Sequence, residues 1–338
     1  MKRKHSIREI EPHIVYESCP LCGYEYGPEG GWRWKMMIEP RLRYLIPGMR
    51  EDELPGTGFT RCPRCSLVHQ RYYIEPQKLK DIYASTAYVK TIGSDKKAPR
   101  TQSASYNEAW RAHHLINIDD RSGLIQRHIP DADSILDVGC AKLLLMKSLE
   151  YDYGPKLLEG VDPSITSKRL GQAFCFQIWD DIMDIPADRQ YDLITHIHTL
   201  EHVIFPKEHL LKLREHLAPN GHLFILLPNV FSHPALNFFH IFGYSTTTLR
   251  WMLELCGFEV DIIKTIPAMW MRWYPMDILC IAHRTDGSPG ATNFQSDRFF
   301  EKKKRLGEVG MKFMRWLPEW IREPRPPKLV APIFILPE

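Results

Sequence analysis

Ser134-Ile-Leu-Asp-Val-Gly-Cys-Ala-Lys-Leu-Leu-Leu-Met146 runs a short apolar strand through Asp137 and Gly139 directly into a helix-forming segment. Glycine has no Cβ, so a strand that ends in Asp-x-Gly can turn tightly and let a ligand approach its backbone. About 25 residues further on, Leu158-Glu-Gly-Val-Asp162 reads as a second strand closed by an acid, near the spacing expected of a nucleotide-binding βαβ unit. A carboxylate there suits a pair of ribose hydroxyls. The alternation of strand and helix patterns predicts an α/β fold.

Later landmarks follow in order. They are Ile178-Trp-Asp-Asp-Ile-Met-Asp-Ile-Pro186, the run Tyr191-Asp-Leu-Ile-Thr-His-Ile-His-Thr-Leu-Glu-His-Val203, a helix over Leu210–Leu217, a turn at Pro219-Asn-Gly221 and a strand at His222–Pro228. A late helix from Tyr244 then leads into Gly257-Phe-Glu-Val260. From Ser134 to about Phe258 the chain resembles the class I S-adenosylmethionine-dependent methyltransferases. The resemblance implies a Rossmann-like fold with a mostly parallel seven-stranded sheet and helices on both faces. It implies S-adenosyl-L-methionine as cofactor, bound by Asp137, Gly139 and Ala141 in the loop and by Asp162 on the ribose. Asp181 then takes the adenine amino group and Ile182 the ring. One departure stands out: the family loop reads Gly-x-Gly-x-Gly, and here Ala141 and Leu143 replace the second and third glycines. A branched side chain at Leu143 predicts either crowding of the methionine moiety or a loop shifted by one residue.

Cys19-Pro-Leu-Cys22 and Cys62-Pro-Arg-Cys65 form two knuckles that each place two thiolates on a tight turn. Four thiolates suit Zn²⁺, and such a closed site leaves no open position for catalysis, so the metal is expected to be structural. His69 is the one spare ligand nearby; a redox pair or unpaired buried thiols are the alternatives. The following segment, Leu67 to Tyr83, resembles the amino-terminal zinc modules of methyltransferases that act on glycans and sugar nucleotides, and extends the resemblance across Cys19 to about Tyr88. That resemblance implies that Tyr83 and Tyr88 face a substrate, although each tyrosine taken singly also fits a small core.

The chain has 338 residues, 44% hydrophobic residues and a net charge of +3, values normal for a globular protein. No long apolar run is free of breaks, since Pro228, Asn229, His233, Pro234 and Asn237 interrupt His222–Tyr244. The basic amino terminus lacks the apolar core of a secretory signal. A cytoplasmic location is expected, with the eight cysteines as ligands or buried thiols. We divide the chain into a zinc-binding module (1–90), a connector rich in Lys, Ser and Thr (91–105), a methyltransferase-like domain (106–284) and a carboxy-terminal extension (285–338). Helical spacing at Trp110, His114, Leu115, Ile118 and Leu124-Ile125 predicts a helix packed on the sheet ahead of its first strand.

Residues 297–325 carry nine Lys or Arg against five Asp or Glu, interleaved with Phe299, Phe300, Phe313, Trp316, Trp320 and Ile321. The segment reads first as a helix whose apolar stripe docks on the protein, because Glu301, Glu308, Glu319 and Glu323 dilute its basic character, and second as a candidate for peripheral membrane contact. Nucleic acid is disfavoured, because the overall charge is nearly balanced and no basic recognition helix is present.

His196, His198, Glu201 and His202 cluster at the expected end of the fourth strand, the edge at which open α/β sheets bind ligands. Strand alternation would put His196 and His198 on one face. A neutral imidazole is a fitting general base for a hydroxyl or a carbon acid. His202 ranks first, His198 second, with Glu201 beside them. In relatives a comparable Glu-His pair does acid–base work in sugar C-methyltransferases, or the glutamate helps hold a divalent metal in quinone-type O-methyltransferases. A plain capping role fits as well. His222, His233 and His240 read as structural. The expected activity is therefore methyl transfer to a small polar acceptor such as a sugar nucleotide or glycan precursor, on carbon or oxygen. The alternative is a non-catalytic partner protein with a degenerate cofactor loop.

Overall fold

The structure, a computed structural model, describes residues 13–26, 33–35, 58–70, 72–74, 76–84, 121–232, 239–267, 276–285 and 293–316. Tyr88, the connector 91–105, His233 and the stretch containing Trp110, His114, Leu115 and Ile118 lie outside the described residues, as do Trp320 and Ile321.

The amino-terminal region is built from short strands. β1 (His13–Val15) pairs antiparallel with β5 (Tyr72–Ile74). β2 (Arg33–Lys35), β3 (Gly58–Arg61) and β4 (Val68–Gln70) form an antiparallel sheet, followed in the chain by helix α1 (Pro76–Ala84). A fourth strand of that sheet, β11 (Phe242–Gly243), comes from far along the chain and pairs with β4. The cysteine region thus shares a sheet with the larger domain.

The larger domain holds seven strands: β6 (Ser134–Val138), β7 (Leu157–Val161), β8 (Gln177–Trp179), β9 (Tyr191–Ile197), β10 (Leu217–Pro228), β12 (Phe258–Ile266) and β13 (Asp277–Arg284). Their spatial order is β12-β13-β10-β9-β6-β7-β8. β8, β7, β6, β9 and β10 run parallel, while β13 is antiparallel to both of its neighbours. This is the Rossmann-like methyltransferase architecture. Central strands are buried on both faces, which is why β10 reads as a nearly continuous apolar run from Leu223 to Pro228. The chain leaves β6 toward β7 and β8, then returns to place β9 on the other side of β6. That reversal opens a crevice at the carboxyl ends of β6 and β9, where α/β sheets bind ligands.

Helices α2 (Leu144–Tyr153), α3 (Ile165–Phe174), α4 (Pro206–His216) and α5 (Thr246–Leu255) connect the strands. Ser164 caps α3 through the Thr166 amide, and Ser245 with Thr248 forms a reciprocal capping box on α5. Residues 121–128 are helical, and Ile125 is buried against Ile135, Leu149 and Leu193, in keeping with the helix expected ahead of β6. The turn expected at Pro219-Asn-Gly221 is instead part of β10, with a break in register against β9 between Leu217 and His222. Gly221 permits this, because a Cβ there would stand 2.7 Å from the Tyr191 carbonyl oxygen. Finally, α6 (Phe300–Trp316) docks through Phe300, whose ring centroid lies 4.9 Å from that of Phe231.

Candidate functional site

The loop after β6 is shaped by three left-handed residues. Gly139 has φ +80°, and a Cβ there would overlap the Thr199 hydroxyl. Ala141 (φ 44°) and Leu143 (φ 58°) take the same hand, a conformation that favours glycine and that non-glycine residues hold at both positions here. Each such L-residue costs roughly 1–2 kcal/mol. The Leu143 side chain is 0% exposed and packs with Cys140 and Met146 against Leu158, Leu170 and Ile178. It therefore turns into the layer between helix and sheet.

The Gly139 and Cys140 amides donate to the Val161 carbonyl at 2.8 and 3.2 Å, and the Ala141 amide donates to Asp162 Oδ2 at 3.0 Å. Asp162 Oδ1 accepts from the Ser164 amide at 2.9 Å and lies 2.7 Å from the Ser167 hydroxyl. Burial pushes the Asp162 carboxyl up, and these donors oppose the shift. Asp137 is buried beneath the loop, where it accepts from Thr195 Oγ1 at 2.7 Å. Burial raises its pKa to about 7, with Asp162 adding to the shift while the Thr195 hydrogen bond and Arg121 oppose it. Asp181 accepts from the Met183 amide at 3.2 Å and faces Lys80 of α1 at 3.6 Å. Ile182 beside it is buried.

At the end of β9 the expected histidine cluster divides. His196 remains in the strand, buried, with its Nε2 2.8 Å from His209 Nε2. Burial lowers His209 to about 4, a shift opposed by Asp181. His198 follows the strand with φ 49°, and its amide donates to the Leu226 carbonyl at 2.7 Å. Strand alternation ends there, so His196 and His198 do not share a face as the spacing predicts.

His198, Glu201 and His202 do meet. His198 Nδ1 lies 3.6 Å from Glu201 Oε1, and its Nε2 lies 3.7 Å from Asp277 Oδ2. His202 Nε2 lies 3.8 Å from Glu201 Oε1, while its Nδ1 is 2.8 Å from the Phe239 carbonyl and 3.1 Å from the Tyr83 hydroxyl. Glu201 is 1% exposed, and among the described residues neither carboxylate oxygen has a hydrogen-bond partner; the nearest imidazole nitrogens stand at 3.6 and 3.8 Å. Burial alone would raise its carboxyl; the imidazoles of His198, His202 and His240 outweigh burial and hold it at about 2.

His240 is the residue that the sequence reading misplaces. Its ring stands edge-on to His202 with centroids 4.7 Å apart, and ligand atoms of Glu201, His202 and His240 lie within 4.8 Å of one another. Gln70 holds this segment from the cysteine module, donating to the His240 carbonyl at 3.0 Å through Nε2 and to the Ile241 carbonyl at 2.8 Å through its amide. The Ile241 amide in turn donates to the Glu201 carbonyl at 2.7 Å. Asp277, at the start of β13, was also not anticipated. No local pattern marks either residue; both arrive through the sheet topology.

The four module cysteines converge. Cys19 and Cys65 sulfurs are 3.6 Å apart, Cys22 and Cys62 sulfurs 3.5 Å, and all four lie within 4.8 Å of one another. A tetrahedral ion with Zn–S bonds of about 2.3 Å separates its sulfurs by roughly 3.8 Å, so the donor set fits zinc. Gly23 (φ 69°) and Ser66 (φ 63°) follow the second cysteine of each knuckle and donate back to the Cys19 and Cys62 carbonyls, both at 2.9 Å. His69 is no ligand here; its Nε2 is 2.6 Å from the Tyr26 hydroxyl.

Comparison with known proteins bears on the larger domain. Residues 110–262 match the family described as Methyltransferase domain. No curated protein matches the chain. Among solved structures, the magnesium protoporphyrin IX methyltransferase of Synechocystis with bound S-adenosylmethionine is similar at 16% identity and TM-score 0.43, covering 62% of this chain and 96% of that one. The 1,6-didemethyltoxoflavin-N1-methyltransferase of Burkholderia thailandensis is similar at 14% identity and TM-score 0.40, covering 56% and 93%. An S-adenosylmethionine-dependent methyltransferase from Clostridium acetobutylicum is similar at 11% identity and TM-score 0.41, covering 53% and 99%.

Proposed function

We propose that the protein is an S-adenosylmethionine-dependent methyltransferase acting on a small polar acceptor, with sugar nucleotides or glycan precursors as the acceptor class. The observation that carries this reading is the left-handed series Gly139, Ala141 and Leu143, tied to Asp162 at the crevice between β6 and β9. When bound, the cofactor supplies an electrophilic methyl group on a sulfonium. Asp162, already oriented by backbone amides, offers its remaining lone pairs to the ribose hydroxyls. Gly139 keeps the loop low, Ala141 positions Asp162, and Asp181 with Ile182 borders the adenine pocket; Asp137 supports the loop from below.

On the acceptor side His202 is the leading base. Its Nδ1 faces a carbonyl and so carries the proton, which leaves Nε2 as the basic nitrogen. Glu201, adjacent to that nitrogen, stabilises the imidazolium that forms when the acceptor loses its proton. His198 is second in rank as base. Cys19, Cys22, Cys62 and Cys65 hold a structural Zn²⁺, and the module then fixes His240 through Gln70. Isotope-labelled methyl transfer to a panel of nucleotide sugars, with His202→Ala as control, tests the assignment. Transfer lost in the variant supports it; no labelled product across the panel removes this acceptor class.

A second reading of the acceptor side is favoured by one observation. Among the described residues no hydrogen-bond donor reaches either oxygen of the buried Glu201, and the Nε2 lone pair of His202 faces it. Two acceptors so placed call for a cation between them. Glu201, His202 and His240 form a carboxylate–imidazole set suited to a borderline transition ion. In that case these residues orient an acceptor hydroxyl, and the general base is His198.

A further inference from the structure

Helix α6 presents two different faces. The inner one is engaged: Phe300 is buried beneath the Arg61 guanidinium, Lys304 Nζ donates to the Val230 carbonyl at 2.7 Å, and Gly307 packs on the Phe231 backbone. Val230 and Phe231 directly follow the carboxyl end of β10. The helix is therefore anchored at the same sheet edge as the candidate active site.

The outer face is apolar and, among the described residues, uncovered. Phe299, which immediately precedes the helix, and Leu306 and Val309 within it are 64%, 61% and 58% exposed, and the three-residue spacing of Leu306 and Val309 puts them on one side of the helix. Lys302 and Arg305 interleave with the row, both exposed, and neither has an ion pair among the described residues. Lys303 flanks it and pairs with Asp297 at 2.7 Å. The acids Glu301 and Glu308 fall on the side of the helix away from the row, and Glu301 faces Arg61 at 3.8 Å. Apolar side chains interleaved with unpaired cations match an anionic bilayer surface, which offers acyl chains to the first and phosphates to the second. Among the described residues no helix is long and apolar enough to cross a membrane.

We propose that α6 is a peripheral membrane-docking helix. Phe299, Leu306 and Val309 enter the interfacial layer, Lys302 and Arg305 meet lipid phosphates, and the candidate active-site edge is held beside the bilayer. A second copy of the chain or a nucleic acid is the competing occupant, and the test separates them.

The full chain is sedimented with phosphatidylcholine vesicles, with and without phosphatidylglycerol, alongside Leu306→Glu/Val309→Glu and Lys302→Gln/Arg305→Gln. All four positions are exposed, so unchanged thermal melting should show that the variants fold. The proposal predicts binding to the anionic vesicles, weakened by salt. Partition falls about thirtyfold in Lys302→Gln/Arg305→Gln, at about 1 kcal/mol per cation, and at least tenfold in Leu306→Glu/Val309→Glu. Absence of binding by the parent protein, or equal binding by the apolar variant, overturns it. So does a parent dimer that dissociates in Leu306→Glu/Val309→Glu while neither protein sediments with vesicles, or retention of a DNA duplex without retention of vesicles.

Discussion

The Tyr83 hydroxyl lies 3.1 Å from His202 Nδ1, bringing helix α1 of the cysteine module into the acceptor-side cluster. Tyr83→Phe removes one polar contact while the Phe239 carbonyl still orients the ring. Loss of a hydrogen bond of about 1 kcal/mol predicts a severalfold lower kcat with unchanged affinity for S-adenosylhomocysteine. Steady-state kinetics beside a binding titration checks both parts; equal loss of cofactor affinity contradicts the placement of Tyr83.

The four-thiolate site predicts one zinc per chain. Chelation should loosen the two cysteine turns, because binding free energy at a closed four-thiolate site is folding free energy. Through Gln70 and β11 it should also release His240, so methyl transfer fails with the metal. Zinc content by mass spectrometry, followed by circular dichroism and activity during chelation, tests this. Full activity after complete zinc loss contradicts it.

Leu143 distinguishes strain from packing. Leu143→Gly relieves a left-handed leucine worth roughly 1–2 kcal/mol but opens a cavity in a buried cluster, a loss of about 2–5 kcal/mol for a buried Leu cut to Ala. Packing wins, so the variant melts at lower temperature and binds S-adenosylhomocysteine no more tightly. Tighter binding by Leu143→Gly shows that the side chain obstructs the site.

Asp137, which is buried, and His209, which is half-buried, give opposite pH slopes. His209 has its folded pKa lowered from 6.5 to about 4, so the unfolded chain binds the proton first and stability falls as pH drops through that window. Asp137 has its folded pKa raised from 3.8 to about 7, so stability falls as pH rises through that window. Each shift corresponds to a few kcal/mol at roughly 1.4 kcal/mol per unit. Melting curves from pH 4 to pH 8 should therefore lose part of their acid limb in His209→Gln and part of their alkaline decline in Asp137→Asn. Parallel curves for parent and variants contradict the assignments.

What could be read in the sequence was local. β6, the glycine loop, Asp162 and the two cysteine knuckles are each contained in one strand–turn unit, where residue type limits conformation directly. His240 and Asp277 could not be read this way, since they reach Glu201 and His198 through β11 and β13, whose placement depends on nonlocal pairing. Strand alternation likewise misled at His198, because the chain leaves the strand there in a left-handed turn that no glycine announces. Leu143 shows the reverse: a residue that looks obstructive in the motif finds room in the core behind it.

The central claim is a working cofactor site at the Asp162 loop. Isothermal titration of the zinc-loaded protein with S-adenosylhomocysteine, repeated on Asp162→Ala, tests it most directly. The account predicts binding in the micromolar range, about −8 kcal/mol, lost in the variant. No binding by folded, zinc-loaded parent protein would contradict it and leave a methyltransferase fold serving as a non-catalytic partner.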